Sequence, residues 1–191
     1  YFCSIPGHRE IGMFGTLRVA GTVEVGDRAE LAASQGSEMD HAMAVPTIAP
    51  AVVDAVSIVR DPADVPPPVG DRDPMTLRVD MNTQEVTGIL ADGTTFSYFT
   101  FDGKVPGPML RVRVGDTVDF HLHNDPTSLF PHSIDLHSVT GPGGGAVYTQ
   151  TLPGGETSFT FQALNPGLYV YHCATASIPH HISSGMYGLI L

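Results

Sequence analysis

Leu168-Tyr169-Val170-Tyr171-His172-Cys173 is an apolar and aromatic run of strand length that ends on two metal-ligating side chains. Successive residues of an extended chain point to opposite faces, so His172 and Cys173 look away from each other. Each can therefore serve a different metal, since a thiolate suits a soft copper site and an imidazole suits copper or zinc. One peptide unit would then join two metal centres covalently, a path for electrons.

Working outward, Cys173, His181 and Met186 supply a thiolate, an imidazole and a thioether in one short loop. Blue-copper electron-transfer sites complete that set with one more His. Upstream, His132-Ser133-Ile134-Asp135-Leu136-His137 offers two. If this segment is extended, His132 and His137 face opposite ways, while Asp135 shares the face of His137. Parity sorts the residues into His132, Cys173, His181 and Met186 on one side and His137, His172 and Asp135 on the other. The first group is a complete electron-transfer copper set. The second leaves coordination positions open, as a catalytic metal needs. By spacing alone, Asp135 could equally cap a turn or orient a ligand.

Around these residues the chain reads as many short strands. Thr76 to Met81 alternates, Ala91-Asp92-Gly93-Thr94 reads as a turn, and Thr95 to Phe101 alternates again. Further strands are expected at Leu110 to Val114, Thr117 to Leu122, Thr157 to Phe161 and Leu168 to Cys173. With no long helix, the pattern argues for an all-β sandwich with Greek-key links. Val118, Phe120 and Leu122 claim the core face of their strand, so His121 and His123 are expected to point into solvent. His180 has the parity opposite to His181 and is expected at a pocket rim or exposed.

From Asp73 to Leu191 the sequence resembles the first cupredoxin domain of the copper-containing nitrite reductases. The resemblance rests on Val105-Pro106-Gly107-Pro108, His132 to His137, Gly143-Gly144-Gly145-Ala146, Pro166 to Ala174 and His181 to Met186. It implies a cupredoxin-like Greek-key β-sandwich over 73–191. It also implies that His132, Cys173, His181 and Met186 bind a type 1 copper that accepts electrons. His137 and His172 would bind a type 2 copper where nitrite is reduced to nitric oxide, the electron passing from Cys173 to His172. Asp135 matches the family's aspartate that hydrogen-bonds nitrite and helps deliver protons. The resemblance further implies a periplasmic homotrimer fed by an electron-donor protein, a cytochrome c or a cupredoxin. In that family the third type 2 ligand comes from a second cupredoxin domain of a neighbouring subunit. The chain stops at Leu191 within a strand-like run and opens at Tyr1 within another, so both ends are expected to be cuts.

The N-terminal residues repeat the pattern. Cys3, His8 and Met13 give thiolate, imidazole and thioether in the same order, ahead of a strand from Phe14 to Ala20. Residues 1–20 look like the closing end of a truncated N-terminal cupredoxin domain, and these three are possible type 1 copper ligands in a longer parent. A disulfide between Cys3 and Cys173 is open on spacing alone. Residues 21–72 are small, acidic and proline-rich, an extended tether, with a weak helix signal near Arg28 to Ala33. His41, in Met39-Asp40-His41-Ala42-Met43, reads as part of that tether.

Net charge is −11, which disfavours nucleic acid or an anionic membrane as partner and suits a basic electron donor. The most apolar stretch, Ala42 to Val59, is broken by Pro46, Pro50 and Asp54, so no membrane span is expected. Two other classes compete with the reductase. One is a single-copper electron carrier, in which His137, Asp135 and His172 would be ordinary surface residues. The other is a multicopper oxidase fragment, which Ala174 after Cys173 and the five-residue spacing of His132 and His137 disfavour, because a trinuclear oxygen site needs His-x-His pairs.

Overall fold

The computed structural model describes residues 49–50, 55–91, 93–140 and 142–191. Within them are β1 (Ala49–Pro50), β2 (Thr76–Ala91), β3 (Thr94–Phe101), β4 (Thr117–Asn124), β5 (Asp135–Leu136), β6 (Glu156–Gln162), β7 (Tyr169–His172), α1 (Ile178–Ser183) and β8 (Tyr187–Ile190). They form a five-stranded sheet, β1-β3-β2-β4-β6, and a three-stranded sheet, β5-β7-β8. β2 runs parallel to β4, and the other neighbours are antiparallel. This is the all-β sandwich that the alternation implied, and it agrees with the cupredoxin-like fold that the resemblance implied.

The core lies between the sheets, and the alternation of β4 shows how it is built. On β4, Val118, Phe120, Leu122 and Asn124 are buried while the residues between them are half-buried. Met81, Phe99 and Phe101 join from the same sheet, and Leu136, Tyr171 and Ile190 from the other. Tyr171 is the largest fully buried side chain; its hydroxyl donates to the Pro108 carbonyl at 2.6 Å. Gly188, opposite Tyr171 on β8, has no Cβ because one would run into the Tyr171 ring.

Four expectations are revised. β2 continues ten residues past Met81; Asn82-Thr83-Gln84-Glu85 hides it by breaking the polar alternation. Leu110 to Val114 is not a strand. It meets β8 only through a bridge at Ile190, with Leu110 N donating to Leu189 O at 2.9 Å and Val112 N to Leu191 O at 2.8 Å. The loop between Cys173 and Met186 holds α1, started by Pro179 in its first turn. Part of the expected tether is bonded to the sandwich: Ile58 is buried, Arg60 N donates to Val105 O at 3.0 Å, and Val105 N to Ile58 O at 2.8 Å. The extended backbone that the prolines favour is what lets it lie along the sheet. Residues 1–20, and with them Cys3, His8 and Met13, lie outside the described residues, as do the helix near Arg28 and His41. Among the described residues no helix is long and apolar enough to cross a membrane.

Asp116 fastens the chain where β4 begins. Fully buried, it accepts from Arg72 at 2.7 and 2.6 Å, from Met75 N at 2.9 Å and from Arg113 N at 2.8 Å. The Arg72 bonds, with the two backbone amides, hold its carboxyl well below the usual carboxylate range. A carboxylate held low in the folded state stabilises the fold above its unfolded pKa, about 4, and loses that contribution as pH falls below it. Asp116→Asn is expected to cost roughly 2–3 kcal/mol at neutral pH. In urea titrations the gap between native and variant should narrow below about pH 4.

Candidate metal centre

Three segments converge under the edge of the sandwich. His132 is fixed by a two-bond bridge, His132 N to Thr151 O at 3.1 Å and Thr151 N to His132 O at 2.8 Å. Cys173 follows β7 and donates its N–H to Met186 O at 3.1 Å, and Met186 N donates to His181 O at 3.1 Å. His181 rides on α1. The result is a buried group in which the Nδ1 atoms of His132 and His181 are 3.3 Å apart and Cys173 Sγ is 3.3 Å from His181 Nδ1. Met186 is fully buried in the hydrophobic core together with Cys173. Cys173 carries a free thiol. The Phe99 ring lies edge-on to both imidazoles, 5.5 Å from His132 and 5.3 Å from His181, and keeps water from that side.

The chemistry of these atoms fits a soft metal. Burial pushes the His181 imidazole down to about 4, with His132 and His180 adding to the effect. Burial also pushes His132 down, against the pull of Glu85. Both rings are then neutral near pH 7, the form that ligates. Two inward Nδ1 atoms and one sulfur have few protons to share in hydrogen bonds among themselves, whereas a cation satisfies all three at once. Thiolate, two imidazoles and a nearby thioether form a copper donor set. Around the sulfur, Ser133 N donates at 3.4 Å and Ser133 Oγ lies at 3.9 Å; that hydroxyl is itself held by Ala174 N at 3.2 Å and Thr175 at 3.0 Å.

A second group occupies the other face of the small sheet. Asp135 pairs with His172 across β5 and β7, and His137 N donates to Val170 O at 3.0 Å. The Nε2 atoms of His137 and His172 are 3.0 Å apart, and an Asp135 oxygen lies within 4.8 Å of both. His172 Nδ1 is 3.0 Å from the Cys173 carbonyl and can only donate to it, which leaves Nε2 with its lone pair facing outward. Asp135 and His172 are half-buried and His137 is exposed, so this group is open to solvent. Gly144, at φ +50°, lets the glycine turn press on Asp135; a side chain there would collide with its Oδ1 and with the Leu136 backbone.

Six of the seven residues thus gather into the two groups expected, and Met186 is tied to Cys173 and His181 through its backbone. Glu85, Phe99, Ser133 and Gly144 were not singled out in advance. The break in alternation at Asn82–Glu85 was the available signal for the first, and Gly143-Gly144-Gly145 for the last. His121 and His123 do point away from the core, but they are not simply solvated. Glu156 meets His121 at 2.7 Å and Asp80 meets His123 at 3.1 Å. The Glu156 and Asp119 carboxylates raise the His121 pKa. His180 sits half-buried at the rim, 5.2 Å from Phe99.

Residues 82–191, more than half of the chain, match the family model described as multicopper oxidase. The chain belongs to the multicopper oxidase family. Among its relatives is the copper-containing nitrite reductase of Neisseria meningitidis serogroup B, 52% identical over 141 residues, which are 73% of this chain and 35% of that protein. Of solved structures, copper nitrite reductase from Nitrosomonas europaea aligns at 40% identity and TM-score 0.55, covering 61% of this chain and 41% of the other. Blue copper oxidase from the same organism aligns at 25% identity and TM-score 0.53, over 61% and 38%. The chain spans about a third of the length of the curated relatives it matches. Membership of this family agrees with a copper donor set.

A His whose folded pKa lies below its unfolded value binds fewer protons in the native state, so stability falls with pH across that window. The metal-free chain is expected to lose stability as pH drops from about 6.5 to about 4 and to show no further loss from His181 below that. Urea titrations of the native chain and of His181→Gln across this range, differing in slope there, check it.

Proposed function

We propose that this chain is the electron-accepting domain of a copper-dependent nitrite reductase, with type 1 copper held by His132, Cys173, His181 and Met186 and type 2 copper held by His137 and His172. The observation that carries the reading is the pairing of a closed, buried donor group with an open one through a single peptide, His172-Cys173. Copper bound in these groups supplies one-electron transfer, for the reaction in which nitrite, one electron and two protons give nitric oxide and water.

The chain's own residues set the conditions. Phe99 excludes water from the buried group, and the His172 Nδ1 bond to the Cys173 carbonyl keeps Nε2 available. The Asp135 carboxylate, braced by Gly144, can hold a proton beside an oxygen of bound nitrite. Among the described residues the open group holds two imidazoles and one carboxylate, which leaves coordination positions for a further ligand. Exposed Val170, Tyr187 and Leu189 flank it on the outer face of β7 and β8, and such an apolar margin suits a partner subunit of a homotrimer. An acidic chain suits a basic donor, a cytochrome c or cupredoxin, and the reading places the protein in the periplasm.

A single-copper carrier has no use for the open group. A trinuclear oxygen-reducing site, which the family name would also allow, lacks its His after Cys173, where Ala174 stands.

The test is copper per chain and the EPR spectrum, with nitrite added afterwards, in the full-length protein. Two coppers, one type 2 and nitrite-sensitive, are expected. One type 1 copper with no response to nitrite would make this an electron carrier. Cys173→Ala is expected to abolish the type 1 spectrum and keep the type 2 signal; loss of both would overturn the face assignment. Asp135→Asn should lower nitrite turnover by about 10²-fold or more with both coppers retained, and unchanged turnover would remove Asp135 from the reaction.

A further inference from the structure

Glu85 lies on β2, directly across from Phe99 on β3. Phe99 walls both buried imidazoles, and Glu85 reaches the same place from the neighbouring strand. Its side chain is only 12% exposed, so its carboxylate needs partners, and it has two. Oε1 lies 3.0 Å from His132 Nε2, and Oε2 accepts from Leu129 N at 2.9 Å. The second bond grips the loop that leads into His132. That loop is also held by Asn124, which donates to Phe130 O at 2.9 Å and to Thr151 O at 3.0 Å.

The chemistry at His132 follows from counting protons. A neutral imidazole has one N–H and one lone pair. A carboxylate at Nε2 only accepts, so the proton belongs on Nε2 and the lone pair on Nδ1. Nδ1 is the atom that faces His181 and, beyond it, Cys173. Without the carboxylate the proton is free to sit on Nδ1 and occupy that lone pair, and the ring loses its anchor.

We propose that Glu85 is a positioning residue that fixes His132 as the Nε2–H tautomer, so that Nδ1 is held ready for the metal. Carboxylate–histidine–metal arrangements of this kind set ring orientation and raise ligand basicity, and their loss typically costs 10- to 100-fold in metal affinity. The metal-binding consequence rests on the copper reading given above; the tautomer does not. The carboxylate's charge also favours the more oxidised metal, so its removal raises the reduction potential.

The experiment uses the chain in two states, native and with Glu85→Ala or Glu85→Gln. In the metal-free ¹⁵N-labelled protein, long-range ¹H–¹⁵N spectra read the His132 tautomer. Native protein is expected to hold Nε2–H and Glu85→Ala to lose that preference; Glu85→Gln, with one acceptor oxygen for the two donors Leu129 N and His132 Nε2 and an NH2 in place of the other, is expected to weaken it. With Cu²⁺, chelator competition should show about 10- to 100-fold weaker binding for Glu85→Ala. Glu85→Gln should keep the native visible spectrum and raise the potential. A native His132 protonated on Nδ1, or a Glu85→Ala protein with native tautomer and native affinity, overturns the proposal. If native chain takes up no Cu²⁺ while the tautomer responds as stated, the copper reading fails and Glu85 keeps its role.

Discussion

Adjacent side chains on an extended strand cannot share a face, and the placement of both candidate metal-binding groups depends on that constraint. Cys173 turns into the sandwich and joins the buried core; His172 turns out beside Asp135 and His137. The pairing of Asp135 with His172 and of Leu136 with Tyr171 carries the same alternation to the neighbouring strand. A one-residue slip in that register would exchange the two sets, sending Asp135 inward and Leu136 outward. The buried Tyr171, locked by Pro108 and by the space left at Gly188, makes such a slip costly.

The two faces then acquire different chemistry from burial alone. Inside, neutral imidazoles and a thiol meet without water, and the surroundings of each ligand are fixed by hydrogen bonds: Glu85 on His132, Ser133 on Cys173. A site enclosed in this way changes little when its charge changes, which suits electron exchange. Outside, His137 and His172 stand partly in solvent with a carboxylate at hand, so a small anion can reach them. One fold edge thus offers a closed group and an open one without any long connection between them.

Much of this was legible in the sequence because it depends on periodicity two. The sandwich, the β4 core face and the opposite facing of His132 and Cys173 against Asp135, His137 and His172 follow from counting odd and even positions; His181, on α1, and Met186 were read from the residue types of their loop. What stayed hidden depends on partners far apart in the chain. Glu85 precedes His132 by 47 positions, and the break in alternation around it marks an inward polar residue without naming its partner. The same residue hid the strand itself, because a polar side chain turned inward breaks the alternation that identifies β2. The edge contact of Leu110 to Val112 was over-read for the opposite reason, since its residue types suit a strand while only one side finds bonding partners.

Glu85 and Phe99 show how the large sheet serves a site built mainly on the small one. They are a cross-strand pair, so one backbone register fixes both the acceptor for His132 Nε2 and the ring that covers His132 and His181. Their backbone is tied in turn to the loop after α1, through Phe99 N donating to Ser184 O at 3.0 Å. Movement of β3 relative to the α1 loop would therefore disturb the water barrier and the His181 position together. Rigidity at the buried group is thus a property of the contact between sheets, carried in part by residues of β2 and β3 that are not themselves candidate ligands.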